Sequence, residues 1–524
     1  MINKYKAVLA ALILTLLTGS FVGCSSSSDS SSSQVSEKPQ QEKVFTYGTT
    51  AYNVENADAG LNPHKDYSGW SCVRYGVGET LFKYSSTMEL EPWLATDYEK
   101  IDENTWKINL RDNVTFSSGR KLDGQAVKEC IENLILVHDR APYDLKIESI
   151  EADGQTVTFK TKEPVPAFIN YLSDPYGAII DMEYGVKEDE NVAGTGPYIA
   201  DFVSDTEIRL FKNENYWNGK VNVDRVVVKS ITDGDTMTMA LQSGEIDATQ
   251  GLPYASIPIF QNNDDFTISS TDTSRSFFGQ INSNNEALKD INVRKAIAMG
   301  IDKEGFTSVL LNGNGSVAVG PFPESFMFGD GKVTAPKYNP EEAKKLLSQA
   351  GWNDTDGDGY VDKDGQKLTI KWLTYPSRQE LPLLAESVQA TLKEIGIDVI
   401  VNSTANHKDF LASGDWDIYA SAFVTAPTGD PEYFFTTHCL ENSAKNRGNY
   451  YSDKLESLEA QMKSEFDPDK RAKLAVEMTQ TILDDYSFLF ASHLKMSFVM
   501  KSNVKGFVAH PSDYYEITAD LDIE

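Results

Sequence analysis

Cysteine and histidine are scarce in this chain, four and six residues of 524. Apart from Cys24, the thiols are Cys72, Cys130 and Cys439, which permit one bridge at most and exclude a disulfide framework. Neither these cysteines nor His64, His138, His407, His438, His493 and His510 fall at the short spacings of a zinc site. The chain also lacks a Gly-Lys-Ser/Thr phosphate loop, a His-Glu-x-x-His pair and a Gly-x-Ser-x-Gly elbow. No catalytic apparatus is visible, so the expectation is a protein that is not an enzyme and carries no cofactor. Basic residues are outnumbered, 48 against 78 acidic, for a net charge of −30. Such a surface repels phosphate backbones and argues against nucleic-acid partners. Beyond the N-terminal segment, no apolar run is long enough to span a bilayer.

In that N-terminal segment, Lys4 and Lys6 precede the apolar run Ala7–Thr18. This is the layout of a secretory leader and is too short for a comfortable membrane span. It closes on Phe21-Val22-Gly23-Cys24, followed by Ser25–Ser33, serines broken only by Asp29. Small residues before one cysteine, with a serine tract behind it, resemble a lipobox, although Phe21 stands where Leu is usual. This predicts a leader over 1–23, lipidation of Cys24 and a disordered tether over 24–42. The rival is an ordinary cleaved leader with an incidental cysteine. Two or more acyl chains would hold the protein on the extracytoplasmic face of the cell membrane.

The ~480 residues that follow exceed one hydrophobic core, so two or three domains are expected. Strand patterns at Thr105–Leu110, Thr156–Phe159, Val223–Val228 and Lys367–Leu373 alternate with helical ones. Asp153-Gly154 marks a hairpin turn. Asn339 as N-cap, Pro340 at the first position and Gly351 as stop predict a helix over Pro340–Gln349. Leu383–Ile395 reads as a helix ending at Gly396, with the strand Ile397–Val401 after it. Leu455–Asp484 reads as two helices joined near Asp467-Pro468. Interleaved strands and helices predict an α/β fold.

Several motifs recur in one order along the chain. They are Glu91-Pro92-Trp93-Leu94-Ala95, Trp106 to Phe116, Gly194-Thr195-Gly196-Pro197-Tyr198 and Asn213-Glu214-Asn215-Tyr216-Trp217. Ser243-Gly244-Glu245-Ile246-Asp247, Val293-Arg294-Lys295-Ala296-Ile297 with Ile301-Asp302-Lys303, and Gly429-Asp430-Pro431 follow. Together they resemble the oligopeptide-, dipeptide- and nickel-binding lipoproteins of ABC importers. The resemblance implies a two-lobed periplasmic-binding-protein-like fold of type II that closes on a solute in the cleft between its lobes. It places one lobe at about 43–280 plus 499–524, with an inserted subdomain near 76–192, and the other at 281–498. It also implies ABC permease subunits as partners, a small-molecule solute and a monomeric protein.

Most of these motif residues are turn and core positions. Asp354-x-Asp356-x-Asp358-Gly359-Tyr360-x-Asp362 spaces oxygens as a calcium loop does, but Gly365 stands where the bidentate Glu belongs. A polar turn is the stronger reading. Gly313-x-Gly315-x-x-Ala318 mimics a dinucleotide fingerprint but follows an apolar helical stretch, so it is read as a loop. For the cleft, the nickel-binding relatives imply Tyr67 and Trp70 on one wall and Arg140 against solute carboxylates, since a guanidinium matches a carboxylate two-to-two. A solvated helix-end arginine is the rival reading of Arg140. Arg275 and Arg447 are weaker candidates of the same kind, and Thr425, Tyr433 and His438 flank Gly429-Asp430-Pro431 on the other wall. Peptide-binding relatives carry an aspartate for the α-amine at the position of Pro427. Its absence points to an anionic metal chelate, such as nickel with amino acids or a metallophore. A di- or oligopeptide solute is the alternative; an exported hydrolase or a structural surface protein is more remote.

Overall fold

The computed structural model describes residues 42–53 and 59–524. The leader 1–23, Cys24 and the tether to residue 41 lie outside them. Glu42–Glu524 forms one compact unit. Its backbone is a mixed sheet ordered Asp398–Ser403, Thr369–Thr374, Ile418–Val424, Phe266–Ile281, Phe488–Lys501, Ala248–Gln250, Val44–Thr49, Arg225–Ser230, Glu207–Lys212, Tyr198–Val203. Parallel pairing occurs in two places, Val44–Thr49 with Arg225–Ser230 and Ala248–Gln250, and Thr369–Thr374 with its two neighbours. A separate antiparallel sheet holds Ala95–Lys100, Thr105–Leu110, Thr156–Thr161 and Ile147–Asp153.

Between them, the two long central strands thread three of the four apolar clusters among the described residues. Met496 and Phe498 enter the first, with Phe45, Tyr47 and Trp106. Phe277, Leu489 and Val499 enter the second, with Ile370, Trp372 and Leu392. Phe278, Phe488 and Phe490 enter the third, with Phe322, Phe434 and Met478.

Where local chemistry is decisive, the elements stand as the sequence predicts. Asn339 Oδ1 accepts the N–H of Glu342 at 3.1 Å and opens the helix Pro340–Gln349. Asp467 caps Pro468–Asp484 after Asp453–Met462. Thr105–Leu110 is a strand, and the turn after Asp153 joins Ile147–Asp153 to Thr156–Thr161.

Other boundaries move. The predicted helix Leu383–Ile395 begins at Glu380, because Pro382 falls in its first turn, where a missing N–H costs nothing. Lys367–Leu373 divides into Thr369–Thr374 and a small hairpin, Asp362–Lys363 with Gln366–Lys367. Asp364 and Gly365, both at positive φ, make the two-residue turn between them. Val223–Val228 becomes Arg225–Ser230, in register with Val44–Thr49, and Ile397–Val401 becomes Asp398–Ser403. The stretch read as a loop at Gly313–Ala318 contains a short strand, Gly315–Val317, paired with Phe488–Lys501.

The ordered motifs are scaffold joints. Thr195, Tyr216 and Trp217, from two of them, donate to the buried Glu79 carboxylate at 2.8, 2.8 and 2.7 Å. Burial pushes that carboxyl up to about 7. Asp430 of Gly-Asp-Pro takes a fork from the buried Arg471 at 2.7 and 2.8 Å, and Glu432 takes a third bond at 2.7 Å. A Cβ on Gly194 or Gly196 would lie 2.1 or 2.3 Å from the carbonyl oxygens of Val77 and Gly76, so only glycine packs there.

Candidate functional site

One cavity of about 420 Å³ brings Tyr67, Trp70, Arg140 and Tyr433 together. Its first wall begins at the helix Ser68–Arg74. A Cβ on Gly69 would sit 2.7 Å from the carbonyl oxygen of Pro175, so this glycine lets the helix lie on the Pro175–Gly177 turn. That contact carries Asp174 and Tyr176 to the cavity beside Tyr67 and Trp70, whose rings meet edge-on at 6.3 Å.

Arg140 arrives from the end of the helix Gly124–Val137. His138 Nδ1 accepts the N–H groups of Arg140 and Ala141, both at 3.1 Å, and so turns the chain into the short helix Ala141–Leu145. The guanidinium donates to Asp144 Oδ2 at 3.0 Å and to Asp174 Oδ2, and lies 4.8 Å over Tyr176 and 5.8 Å from Tyr433. Arg140 is therefore no solvated helix end. It sits between two carboxylates and two aromatic rings and lines the cavity with 28% of its side chain exposed. Burial pushes the Asp144 carboxyl up to about 6 and also raises Asp174, each opposed by Arg140.

The second wall is the helix Glu432–His438 with the loop after it. It presents Tyr433, stacked on Phe423 at 5.7 Å, together with Thr436, Thr437 and Lys445. Lys445 was not singled out by the sequence. Its ammonium lies 4.0 Å over Phe423 and has no carboxylate partner among the described residues. Burial, then Arg140 and Arg447, bring it down to about 8. The only sequence signal was its place two residues before Arg447, in a loop of no motif.

The other candidates lie elsewhere. Thr425 is fully buried and its hydroxyl serves the carbonyls of Ser274 and Pro321, at 2.9 and 2.7 Å. His438 is packed among Phe278, Phe423 and Phe434, and burial holds its ring neutral, well below the ordinary histidine range. Arg447 is exposed and does not line the cavity. Arg275 is partly buried 4.0 Å from Asp513, which Arg74 also holds at 3.2 Å. Pro427 is buried, its carbonyl accepting from Tyr514 at 2.7 Å.

Cys72, Cys130 and Cys439 are free and buried. At the acidic turn, Asp354, Asp356 and Asp362 carry oxygens within 4.8 Å of one another, the only such ligand group among the described residues. Asp358 pairs instead with Lys367, 2.9 Å off, so the four carboxylates of the calcium-type spacing do not close as one oxygen set.

Comparison with known proteins places this arrangement. The family model described as the middle part of bacterial extracellular solute-binding proteins, family 5, matches residues 89–446. The structure of a nickel ABC transporter protein from Bacillus halodurans is 31% identical with a TM-score of 0.80, covering 92% of this chain and all of that one. NikA from Staphylococcus aureus, solved with Ni(L-His)2, is 26% identical with a TM-score of 0.75 over 92% of this chain and all of its own. The oligopeptide-binding protein AppA of Bacillus subtilis is 26% identical over 98% of both chains. Among the described residues no helix is long and apolar enough to cross a membrane. The chain belongs to family 5 of the bacterial extracellular solute-binding proteins, and it is a binding protein of ABC import, not an enzyme.

Proposed function

We propose that the cavity between Trp70, Arg140, Tyr433 and Lys445 holds a small carboxylate-bearing metal chelate, nickel with amino-acid or metallophore ligands, for delivery to an ABC permease. The observation that carries this reading is Lys445, a cation on the cavity wall without a carboxylate partner among the described residues. Arg140 is already matched by Asp144 and Asp174, so its role is to hold a donor fork in place while Lys445 supplies the uncompensated charge. Tyr67, Trp70 and Tyr433 offer apolar faces to the chelate. The cavity has no group of three metal ligands among the described residues, so a metal would arrive with its own. Two of the similar proteins are nickel proteins by name, and one was solved with Ni(L-His)2.

The peptide reading draws on AppA. Against it stands Pro427, which leaves an α-ammonium no carboxylate at that place. Calorimetric titration with nickel plus L-histidine, and separately with a mixed peptide pool, tests the choice. Tight binding of unmetallated peptides with none of the chelate would give the case to the runner-up. Closure of lobes bounded near 43–280 with 499–524 and 281–498, and anchoring through Cys24, complete the proposal. Small-angle scattering with saturating solute and mass analysis of the N-terminal peptide test each.

A further inference from the structure

A second cavity of about 420 Å³ has no lining residue in common with the first. It lies beyond the ends of three strands, Val44–Thr49, Ala248–Gln250 and Thr369–Thr374, which deliver Thr50, Gly251 and Pro376 to its rim. Ligands of open α/β sheets collect outside such strand ends.

Its polar groups form an incomplete set. Glu380 is 5% exposed; the Tyr254 hydroxyl donates to its Oε1 at 2.5 Å, and its Oε2 has no partner among the described residues. A buried carboxylate oxygen left bare is costly unless a donor reaches it. Two residues before it, Arg378 lines the same cavity, and Lys495 does so from the strand Phe488–Lys501. Among the described residues neither cation has a hydrogen-bonded or ion-paired side-chain partner. Arg275 lies behind Arg378, and burial with that neighbouring charge brings it down to about 10. One bare acid and two unmatched cations thus share one cavity, with Leu252, Ile257 and Met496 as an apolar wall.

We propose that this cavity is a second solute site, taking the zwitterion of a free α-amino acid with its ammonium on Glu380 and its carboxylate on Arg378 and Lys495. Simple anions leave Glu380 facing a negative charge, and simple cations leave Arg378 and Lys495 unmatched. Arg378 stands two residues before Glu380, the first residue of the helix Glu380–Glu394, so both charges come from one edge of the cavity. An α-amino acid, with both groups on one carbon, meets that demand, and an aliphatic side chain suits the wall. The proposal goes beyond the chelate reading and stands whatever the first cavity holds.

The test is a thermal-shift and NMR titration of the whole protein with each of the common L-amino acids at about 5 mM, a level at which even weak ligands shift a melt. At least one aliphatic amino acid should bind. Its N-acetyl and amide forms, each lacking one charge, should bind about ten-fold or more weaker, since each loses a charge-assisted contact. Glu380→Gln, which keeps the bond from Tyr254, and Arg378→Ala should each weaken it by about the same factor. Arg140→Ala should leave it unchanged. Lys495→Met serves as a third variant should either of the others fail to fold. No shift with any amino acid overturns the proposal, as does equal binding of the N-acetyl form. Loss in Arg140→Ala also overturns it by placing the amino acid in the first cavity; nickel plus L-histidine, titrated into the same samples, reports that cavity separately.

Discussion

Replacing Lys445 by methionine separates binding from stability. The side chain keeps its reach over Phe423 and loses only the charge, which burial and two neighbouring cations already disfavour, from 10.5 down to about 8. A lysine whose folded pKa lies below its unfolded value destabilises the fold at every pH below about 8. Removing it should therefore leave the melting temperature unchanged or raise it, by up to about 3 kcal/mol of stability at neutral pH. For the solute the sign reverses. Losing one charge-assisted contact to a carboxylate costs about 1.5–3 kcal/mol, or ten- to a hundred-fold in affinity. The assay pairs calorimetry with nickel plus L-histidine and a ligand-free thermal melt. Weaker binding with equal or higher Tm is expected. Unchanged affinity refutes the role given to Lys445, and a lower Tm refutes the electrostatic reasoning behind it.

Arg140→Ala should also weaken chelate binding, and by more than a single contact, because Asp144 and Asp174 are left facing the solute; adding Asp174→Asn should recover part of the loss in the same titration. Arg471→Met strands Asp430 and Glu432 in the interior, and breaking such a buried pair costs about 3–5 kcal/mol, measurable by calorimetric unfolding. Stability should fall as pH rises from about 6.5 to 8. The native state holds protons on Glu459, raised by burial to about 8, on Glu79 at about 7 and on Asp144 at about 6 that the unfolded chain has released, so stability is lost as pH rises through these values. Below about 6.5 the unfolded chain protonates histidines, while burial holds His64 and His510 neutral down to about 4, so these two offset part of that trend. Melts from about pH 6.5 to 8.5 check this; stability that rises with pH would contradict it.

The sequence alone determined what depends on neighbours along the chain. Asn339-Pro340 with Gly351 could specify only one helix, and the turn after Asp153 only a hairpin, because caps and turns act within a few residues. The ordered motifs identified the family because their residues are joints: Thr195, Tyr216 and Trp217 are needed together around Glu79, and Asp430 is needed by Arg471. The same logic explains why two of the residues singled out for the site do not line the cavity. Thr425 and His438 lie beside a motif, but side chains that neighbour a joint are mostly buried by it.

Tertiary structure alone decided which charges are matched. Arg140, Arg275 and Arg447 are equal as letters, yet one is clamped by two carboxylates, one is partly buried beside Asp513 and one is at the surface. Lys445 and Glu380 carry no local signal, and each matters because distant segments place a charge in a cavity and leave it without a partner there. The reason is the range of the forces. Backbone propensity is settled by adjacent residues, whereas the cost of a buried charge depends on every group within several ångströms, wherever in the chain it originates.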